Sequence, residues 1–160
     1  MSRQLRVHES VRRVAGAGAL AVGLVVGIAL SGCSHDVMVR VTSVHNLNSP
    51  TKDRGHRLAY RLVQLKEMPP MAGVQFPSLW RHEKDVFPGL VLGEPEEGNL
   101  DPDTTVKISV KRDKAATAFM LVGNYYKPQG NCWYYVQSFA QGSSVVLTAG
   151  PSCFSAKASK

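Results

Sequence analysis

Apolar and polar side chains alternate along several segments of this chain, which is the pattern of half-buried β-strands. The alternation is clearest at Val37–Val41 and at Val106–Val110, where every second residue is valine or isoleucine. Arg57–Leu65 and Ala116–Tyr126 are longer and more apolar, and the second has the composition of a central strand. We therefore predict strands in all four segments.

One segment changes to a helical period. Phe76–Phe87 places most of its large apolar side chains on one helical face, and Pro88-Gly89 ends it. His45–His56 and the acidic Glu94–Asp103 are rich in turn-forming residues and are predicted to be loops. Six or seven short strands, one or two short helical insertions and no β-α-β alternation predict an all-β sandwich.

The start of the chain has a different pattern. Val14–Leu30 carries no charge, and four arginines precede it. A basic leader, an apolar core and a small-residue junction are the parts of a secretory signal peptide, so residues 1–32 are predicted to be removed. A transmembrane helix is an alternative, although about 17 residues is the minimum to span a bilayer. A second alternative is an ordinary signal peptide that happens to be followed by a cysteine.

The junction itself is Leu30-Ser31-Gly32-Cys33, which resembles the lipobox of bacterial lipoproteins. The resemblance implies that the Cys33 thiol takes a diacylglycerol and that the new amine takes an acyl chain such as palmitate. Residues 33–36 would then be a lipidated tether, 37–154 the β-sandwich and 155–160 a flexible tail. Ser34 stands where an inner-membrane retention signal has Asp, so outer-membrane localisation is expected.

Two further cysteines, Cys132 and Cys153, follow in the exported part of the chain, where a disulfide is expected. Gly142-Ser143 lies midway between them and is a type II′ hairpin signal. Folding the chain there places the two cysteines opposite each other. A bridge would close a loop of about 20 residues and contribute roughly 3 kcal/mol. Two buried free thiols are the alternative.

Charge and motifs exclude several functions. The net charge is +7, and the four arginines and one glutamate of residues 1–32 leave +4 on the exported part. The basic residues are not interleaved with aromatics as on a nucleic-acid surface. Ser49-Pro50-Thr51-Lys52 matches S-x-x-K without its partner motifs, and His82-Glu83 lacks the second histidine of H-E-x-x-H. We expect no enzyme, no metal, no cofactor and no small-molecule substrate.

An ordered series of segments resembles the TssJ (VasD, SciN) family, the outer-membrane lipoprotein of the bacterial type VI secretion system. The segments follow the lipobox in the family's order: Leu47–Pro50, Arg57–Lys66, Phe76–Leu79 with Trp80 and Asp85, Leu100–Asp103, Ala118–Tyr126 and Trp133. The resemblance implies a transthyretin-like sandwich with a structural, non-enzymatic role.

The same resemblance implies a partner. The family anchors the secretion machine's membrane complex to the periplasmic face of the outer membrane by binding the periplasmic C-terminal domain of the inner-membrane protein TssM. Its loop between the first two strands contacts that partner. Here that loop comprises Asn46, Leu47, Asn48, Ser49, Pro50, Thr51, Lys52, Asp53 and Arg54. A mobile loop with no partner is the plain alternative.

Two other functions remain open from the sequence. A periplasmic inhibitor lipoprotein would present one protruding charged loop to an enzyme's cleft. A ligand-binding lipoprotein would need a hollow sandwich, and the pairs Tyr125-Tyr126 and Tyr134-Tyr135 are its support.

Overall fold

Two four-stranded sheets form the protein in a computed structural model, which describes residues 36–51 and 54–156. The strands, in chain order, are β1 Val37–Ser43, β2 Leu58–Leu65, β3 Val91–Leu100, β4 Thr105–Val110, β5 Ala118–Gly123, β6 Tyr134–Ser138, β7 Ser144–Ala149 and β8 Phe154–Ala156. The helices are α1 Phe76–Leu79 and α2 Glu83–Val86, with a 3₁₀ turn at Phe139–Gln141.

Sheet A has the strand order β4-β1-β7-β8, and sheet B has the order β3-β2-β5-β6. Neighbouring strands are antiparallel except β1 and β7, which are parallel. Because β1 and β2 belong to different sheets, the loop between them crosses from one sheet to the other. The predicted β-sandwich is confirmed.

The core lies between the sheets and reflects the alternation of the sequence. Val37, Val39 and Val41 are buried, and Ile108 of β4 pairs with Val39. All six residues of β5 are buried, as expected of a strand covered on both faces. The helical insertion packs against this core through Leu79 and the half-buried Phe76 and Trp80. Sheet B is therefore covered by sheet A on one side and by the insertion on the other.

The single helix predicted over 76–87 is wrong, because the segment forms α1 and α2 with a break between them. Arg81 in the break has φ 65°, a left-handed conformation that ends α1. After the turn, Glu83 enters the protein and pairs with Arg61 on β2, with 2.7 Å between Nε and Oε1. The ion pair and the aromatic contacts of Phe76 thus override the helical pattern.

The acidic loop predicted over 94–103 is also wrong, since most of it belongs to β3. This strand is the edge of sheet B and is largely exposed, so its charged side chains and Pro95 are tolerated there. A polar, edge-strand sequence lacks the alternation by which the other strands were predicted.

The predicted hairpin around Gly142-Ser143 is wrong as well. β6 belongs to sheet B and β7 to sheet A, where it pairs with β1. The 3₁₀ turn and Gly142, at φ 114°, carry the chain from one sheet to the other. β8 includes Ser155 and Ala156, so the strands extend past the predicted start of the tail.

Several predictions lie outside the described residues: the signal peptide, Cys33, the tether before Asp36 and the end of the tail. No helix within residues 36–51 and 54–156 is long and apolar enough to span a membrane.

Candidate partner-binding site

The loop between β1 and β2 lies at the far end of β1 from the point where the described chain begins. β1 rises about 3.3 Å per residue, so its seven residues span roughly 20 Å. The described chain begins at Asp36, at the other end of this strand, and Cys33 precedes Val37 by four residues in the sequence. The fold therefore separates the start of β1 and the candidate partner loop by the length of this strand.

The base of the loop is part of the protein interior. Leu47 is fully buried, and Asn48 and Ser49 are 7% and 8% exposed. The backbone N–H of Leu47 donates to the carbonyl of Val44, and the N–H of His56 donates to the carbonyl of Leu47 at 2.7 Å. These bonds close the loop on itself.

Asn48 connects this loop to two others. Its side-chain Oδ1 accepts a hydrogen bond from the backbone N–H of Tyr126 at 2.6 Å, and its Nδ2 donates to the carbonyl of Arg57 at 2.9 Å. Its own N–H donates to the carbonyl of Gly150. Asn48 has φ 50°, which asparagine adopts more readily than most residues. One residue thus fixes the loop, through its side chain against the β5–β6 connection and through its backbone N–H against the β7–β8 connection.

A second set of contacts holds the loop against the turn between β3 and β4. Arg57 Nε donates to Asp101 Oδ1 at 2.7 Å, and this hydrogen bond raises the pKa of the guanidinium. His45 Nδ1 is 2.6 Å from Asp103 Oδ2. Both pairs are exposed, so they contribute little stability and mainly restrict the loop's position.

An open cleft of about 380 Å³ lies where the three connections meet. It is lined by residues from the β1–β2, β5–β6 and β7–β8 connections: Asn46, Ser49, Pro50, Thr51, Lys127, Gln129, Pro151, Ser152 and Cys153. Lys127 is the charged member of this lining. The Ser49 hydroxyl is buried and has no hydrogen-bond partner. We refer to this feature as the cleft.

The predicted partner-loop residues fall into two groups. Leu47, Asn48 and Ser49 are buried and support the loop rather than present a surface. The exposed or half-exposed members are Asn46, Pro50, Thr51 and Arg54, which we call the loop tip. Lys52 and Asp53 lie outside the described residues.

Sequence reasoning missed the rest of the cleft. Lys127 and Gln129 come from one turn, and Pro151 and Ser152 come from another more than twenty residues later. The two cysteines were the available signal, because Cys132 and Cys153 border these turns. The wrong hairpin register hid the fact that both turns meet the β1–β2 loop.

In the described part of the chain, no three or more His, Cys, Asp or Glu side chains come close enough together to hold a metal ion. His45 and His56 are exposed. The candidate site is therefore a cleft lined mainly by polar side chains, beside the β1–β2 loop of a two-sheet sandwich.

Comparison with known protein families identifies the family to which this chain belongs. Residues 35–148 match the family described as "Type VI secretion lipoprotein, VasD, EvfM, TssJ". The chain belongs to this family of membrane-bound type VI secretion lipoproteins, which is structural rather than enzymatic and has no known cofactor. The resemblance found in the sequence is thus confirmed. Among curated proteins, no sequence matches significantly.

Solved structures share the fold at low sequence identity. The type VI lipoprotein TssJ1 from Pseudomonas aeruginosa is 18% identical, with TM-score 0.64 over 79% of this chain and 99% of that chain. Serratia marcescens Lip, a membrane-bound component of the type VI secretion system, is 14% identical, with TM-score 0.65 over 76% and 96%.

A chain in the structure described as "T6SS protein TssM C-terminal domain" from EAEC is 13% identical, with TM-score 0.67 over 78% of this chain and 98% of that one. These solved structures thus share the β-sandwich fold of this chain.

Proposed function

We propose that this chain is the outer-membrane lipoprotein of a type VI secretion membrane complex. Residues 1–32 act as the signal peptide, and Cys33 becomes the lipidated first residue of the mature protein. Diacylglycerol plus an N-acyl chain gives firm attachment, whereas a single acyl chain binds a bilayer only marginally. The domain then lies on the periplasmic face of the outer membrane.

The partner is the periplasmic C-terminal domain of a TssM-like inner-membrane protein, and the binding surface is the loop tip together with the cleft. The observation that carries this proposal is the direction of β1. The strand leads from the anchored end of the domain to the loop, so the loop tip faces away from the membrane that holds Cys33. A protein that reaches across the periplasm meets that end first.

The character of the surface suits a polar contact. Arg54 and Lys127 are exposed cations, and Thr51 and Gln129 are exposed polar side chains beside them. Lys52 and Asp53 of the same loop add one charge of each sign. Surfaces of this kind form the polar rim of protein interfaces. The buried Ser49 hydroxyl, which lacks a partner, offers one further hydrogen bond to a group that enters the cleft.

The experiment is complementation of a deletion strain of the native bacterium, with type VI secretion as the readout. Replacing Cys33 with Ala should abolish fatty-acid labelling, membrane fractionation and secretion together. Replacing Pro50, Thr51 and Arg54 with Ala should abolish secretion and leave labelling and fractionation intact.

The matched control replaces Lys114 and Gln141 with Ala. Both are exposed, and they lie at the opposite end of the sandwich, where Ser143 accepts a hydrogen bond from the N–H of Met38. This variant should complement fully. Normal secretion by the loop-tip variant would contradict the proposed binding surface, and normal fractionation of the Cys33 variant would contradict the anchor.

A further inference from the structure

We propose that Cys132 and Cys153 form a reversible disulfide that joins the two sheets at the end that carries the cleft, and so fixes the walls of the cleft. The predicted hairpin would have placed this bond within a single sheet. In the structure the two cysteines precede strands of different sheets, so a disulfide between them would join the sheets instead.

The two cysteines precede strands of different sheets. Cys132 lies just before β6 of sheet B, and Cys153 comes directly before β8 of sheet A. The backbone N–H of Phe154, the residue after Cys153, donates to the carbonyl of Cys132 at 2.6 Å, which brings the two cysteine segments side by side. Both residues are half-buried free thiols in the structure. The geometry therefore holds the two cysteines on adjacent segments that lead into different sheets.

Both thiols are also connected to the cleft. Cys153 is part of its lining, and Cys132 Sγ donates to the carbonyl of Gln129, another lining residue, at 3.1 Å. Apart from the backbone bond between Phe154 and Cys132, the β5–β6 and β7–β8 walls are joined at the cleft by the N–H of Gln129, which donates to the carbonyl of Ser152 at 3.4 Å. That bond is long, and long hydrogen bonds are weak. A covalent bond would hold the walls together where this contact does not.

The aromatic layer beneath supports a fixed position for the pair. Tyr125 and Phe154 pack edge to face, with ring centroids 5.3 Å apart. The Tyr125 ring is buried and its hydroxyl has no hydrogen-bond partner. The two thiols therefore sit on a packed surface rather than on a mobile tip, which favours bond formation within the chain.

The oxidation is a thiol–disulfide exchange with an external disulfide, either a small molecule or an oxidase of the periplasmic type. One cysteine thiolate attacks a sulfur of that disulfide, which breaks its S–S bond, forms a mixed disulfide and releases one thiolate. The second cysteine thiolate then attacks the protein sulfur of the mixed disulfide and releases the other thiolate. The two protons lost by the cysteines end on the two released thiols, and two electrons pass to the oxidant.

The first test uses the mature chain with oxidised glutathione as the disulfide. After denaturation and treatment with N-ethylmaleimide, mass spectrometry should show neither cysteine alkylated and a mass about 2 Da lower, the loss of two hydrogens. Cys132→Ser and Cys153→Ser should each stop at a glutathione adduct. Alkylation of both cysteines, or a disulfide between two chains, would overturn the proposal.

The second test asks whether the bond fixes the cleft. Oxidation should slow backbone hydrogen exchange over residues 127–132 and 150–153 by about tenfold or more and leave β4 unchanged. Reduction should lower Tm by about 10 °C, the effect of a native disulfide on a domain of this size. The Cys132→Ala, Cys153→Ala double variant should show neither response. An intact bond with unchanged exchange at the cleft would overturn the claim that it fixes the walls.

The effect on a partner rests on the proposed function. If the cleft binds TssM, the oxidised chain should bind several-fold more tightly than the reduced chain, because its binding surface is preorganised. Neither the thiol analysis nor the exchange measurement uses the partner. Absence of binding in both redox states would therefore contradict the proposed function and leave the disulfide result standing, whereas equal binding would contradict the redox effect.

Discussion

The side chain of Asn48 accepts a hydrogen bond from the backbone N–H of Tyr126, 78 positions later in the chain, at 2.6 Å. This bond joins the β1–β2 loop to the connection between β5 and β6, on the other sheet. With the bond from Asn48 Nδ2 to Arg57, it makes one asparagine the support of the loop and of one wall of the cleft.

Asn48→Ala should therefore destabilise the domain by about 1–3 kcal/mol, because two part-buried hydrogen bonds to backbone groups are lost and alanine resists a positive φ. Asn48→Gly should cost less, since glycine accepts the backbone conformation and loses only the side-chain bonds. Chemical denaturation measures both values. Asn131→Ala, at an exposed position, is the control and should change stability by less than about 0.5 kcal/mol. Equal stability of the alanine variant and the wild type would contradict this role.

Gly55 allows the loop to approach the β3–β4 turn. A Cβ added there would lie 2.8 Å from Pro102 Cγ and still closer to the backbone oxygen of His45. Gly55→Ala should destabilise the domain by about 1–3 kcal/mol through forced backbone shifts. Adding Pro102→Ala should not restore stability, because the closer contact is with backbone. Recovery in the double variant would show that the proline side chain alone limits the position.

The ion pair between Arg61 and Glu83 should be strongly asymmetric under mutation. Their side chains are 10% and 2% exposed, and Trp80 packs over the guanidinium. Glu83→Ala should cost about 3–5 kcal/mol, because it leaves a buried charge without its main partner. Arg61 also pairs with Glu97, which is 55% exposed, so Glu97→Ala should cost less than about 1 kcal/mol.

The double variant Arg61→Met, Glu83→Leu tests whether the stability lost in Glu83→Ala comes from the unpaired buried charge or from poorer packing of the helical insertion. It should fall within about 1–2 kcal/mol of the wild type, since no charge remains buried. A loss as large as that of Glu83→Ala would show that packing of the insertion, rather than the unpaired charge, carries the effect. Urea denaturation of the four proteins decides between them.

The reduced protein should lose stability at high pH. Burial, together with the neighbouring Cys132 thiol, raises the pKa of the Cys153 thiol from its usual value near 9 to about 11. The unfolded chain then releases this proton first, so the stabilisation is complete below pH 9 and is lost as pH rises from about 9 to 11. Burial also raises the pKa of Tyr125, which adds a similar loss above pH 10.

Oxidation provides the control for this pH effect. The disulfide form has no Cys153 thiol to titrate, so only the Tyr125 contribution should remain. Thermal unfolding of both redox forms at intervals between pH 8 and pH 11 measures the difference. Identical slopes between pH 9 and pH 10 would contradict the assignment to Cys153.

How much of the fold could be predicted depends on which strands face the core. β1 and β4 alternate because one face of each is buried, and both were predicted almost to the residue. β3 is an exposed edge whose sequence carries no such constraint, so Glu94–Leu100 resembled a loop. β7 was located, but its parallel pairing with β1 depends on contacts across about a hundred residues that no local pattern encodes.

The candidate site, like the fold, could be predicted only in part from the sequence. The β1–β2 loop was predicted from its length, its polar residues and the family resemblance, and the structure places its described residues beside the cleft. Its sequence did not show that Leu47, Asn48 and Ser49 turn inward. The cleft depends on three connections that meet in space, so it became visible only when the two sheets were placed together.

The most direct test of the account is a calorimetric titration of the mature, oxidised chain with the periplasmic C-terminal domain of the same bacterium's TssM-like protein. We predict saturable binding with a Kd of about 1 μM or tighter, as expected of a specific interface of ordinary size. Replacing Pro50, Thr51 and Arg54 with Ala should weaken it at least about tenfold, a loss of about 1.4 kcal/mol, while replacing Lys114 and Gln141 should not. No binding by the folded chain, or equal binding by the loop-tip variant, would contradict the claim that this end of the sandwich holds the partner.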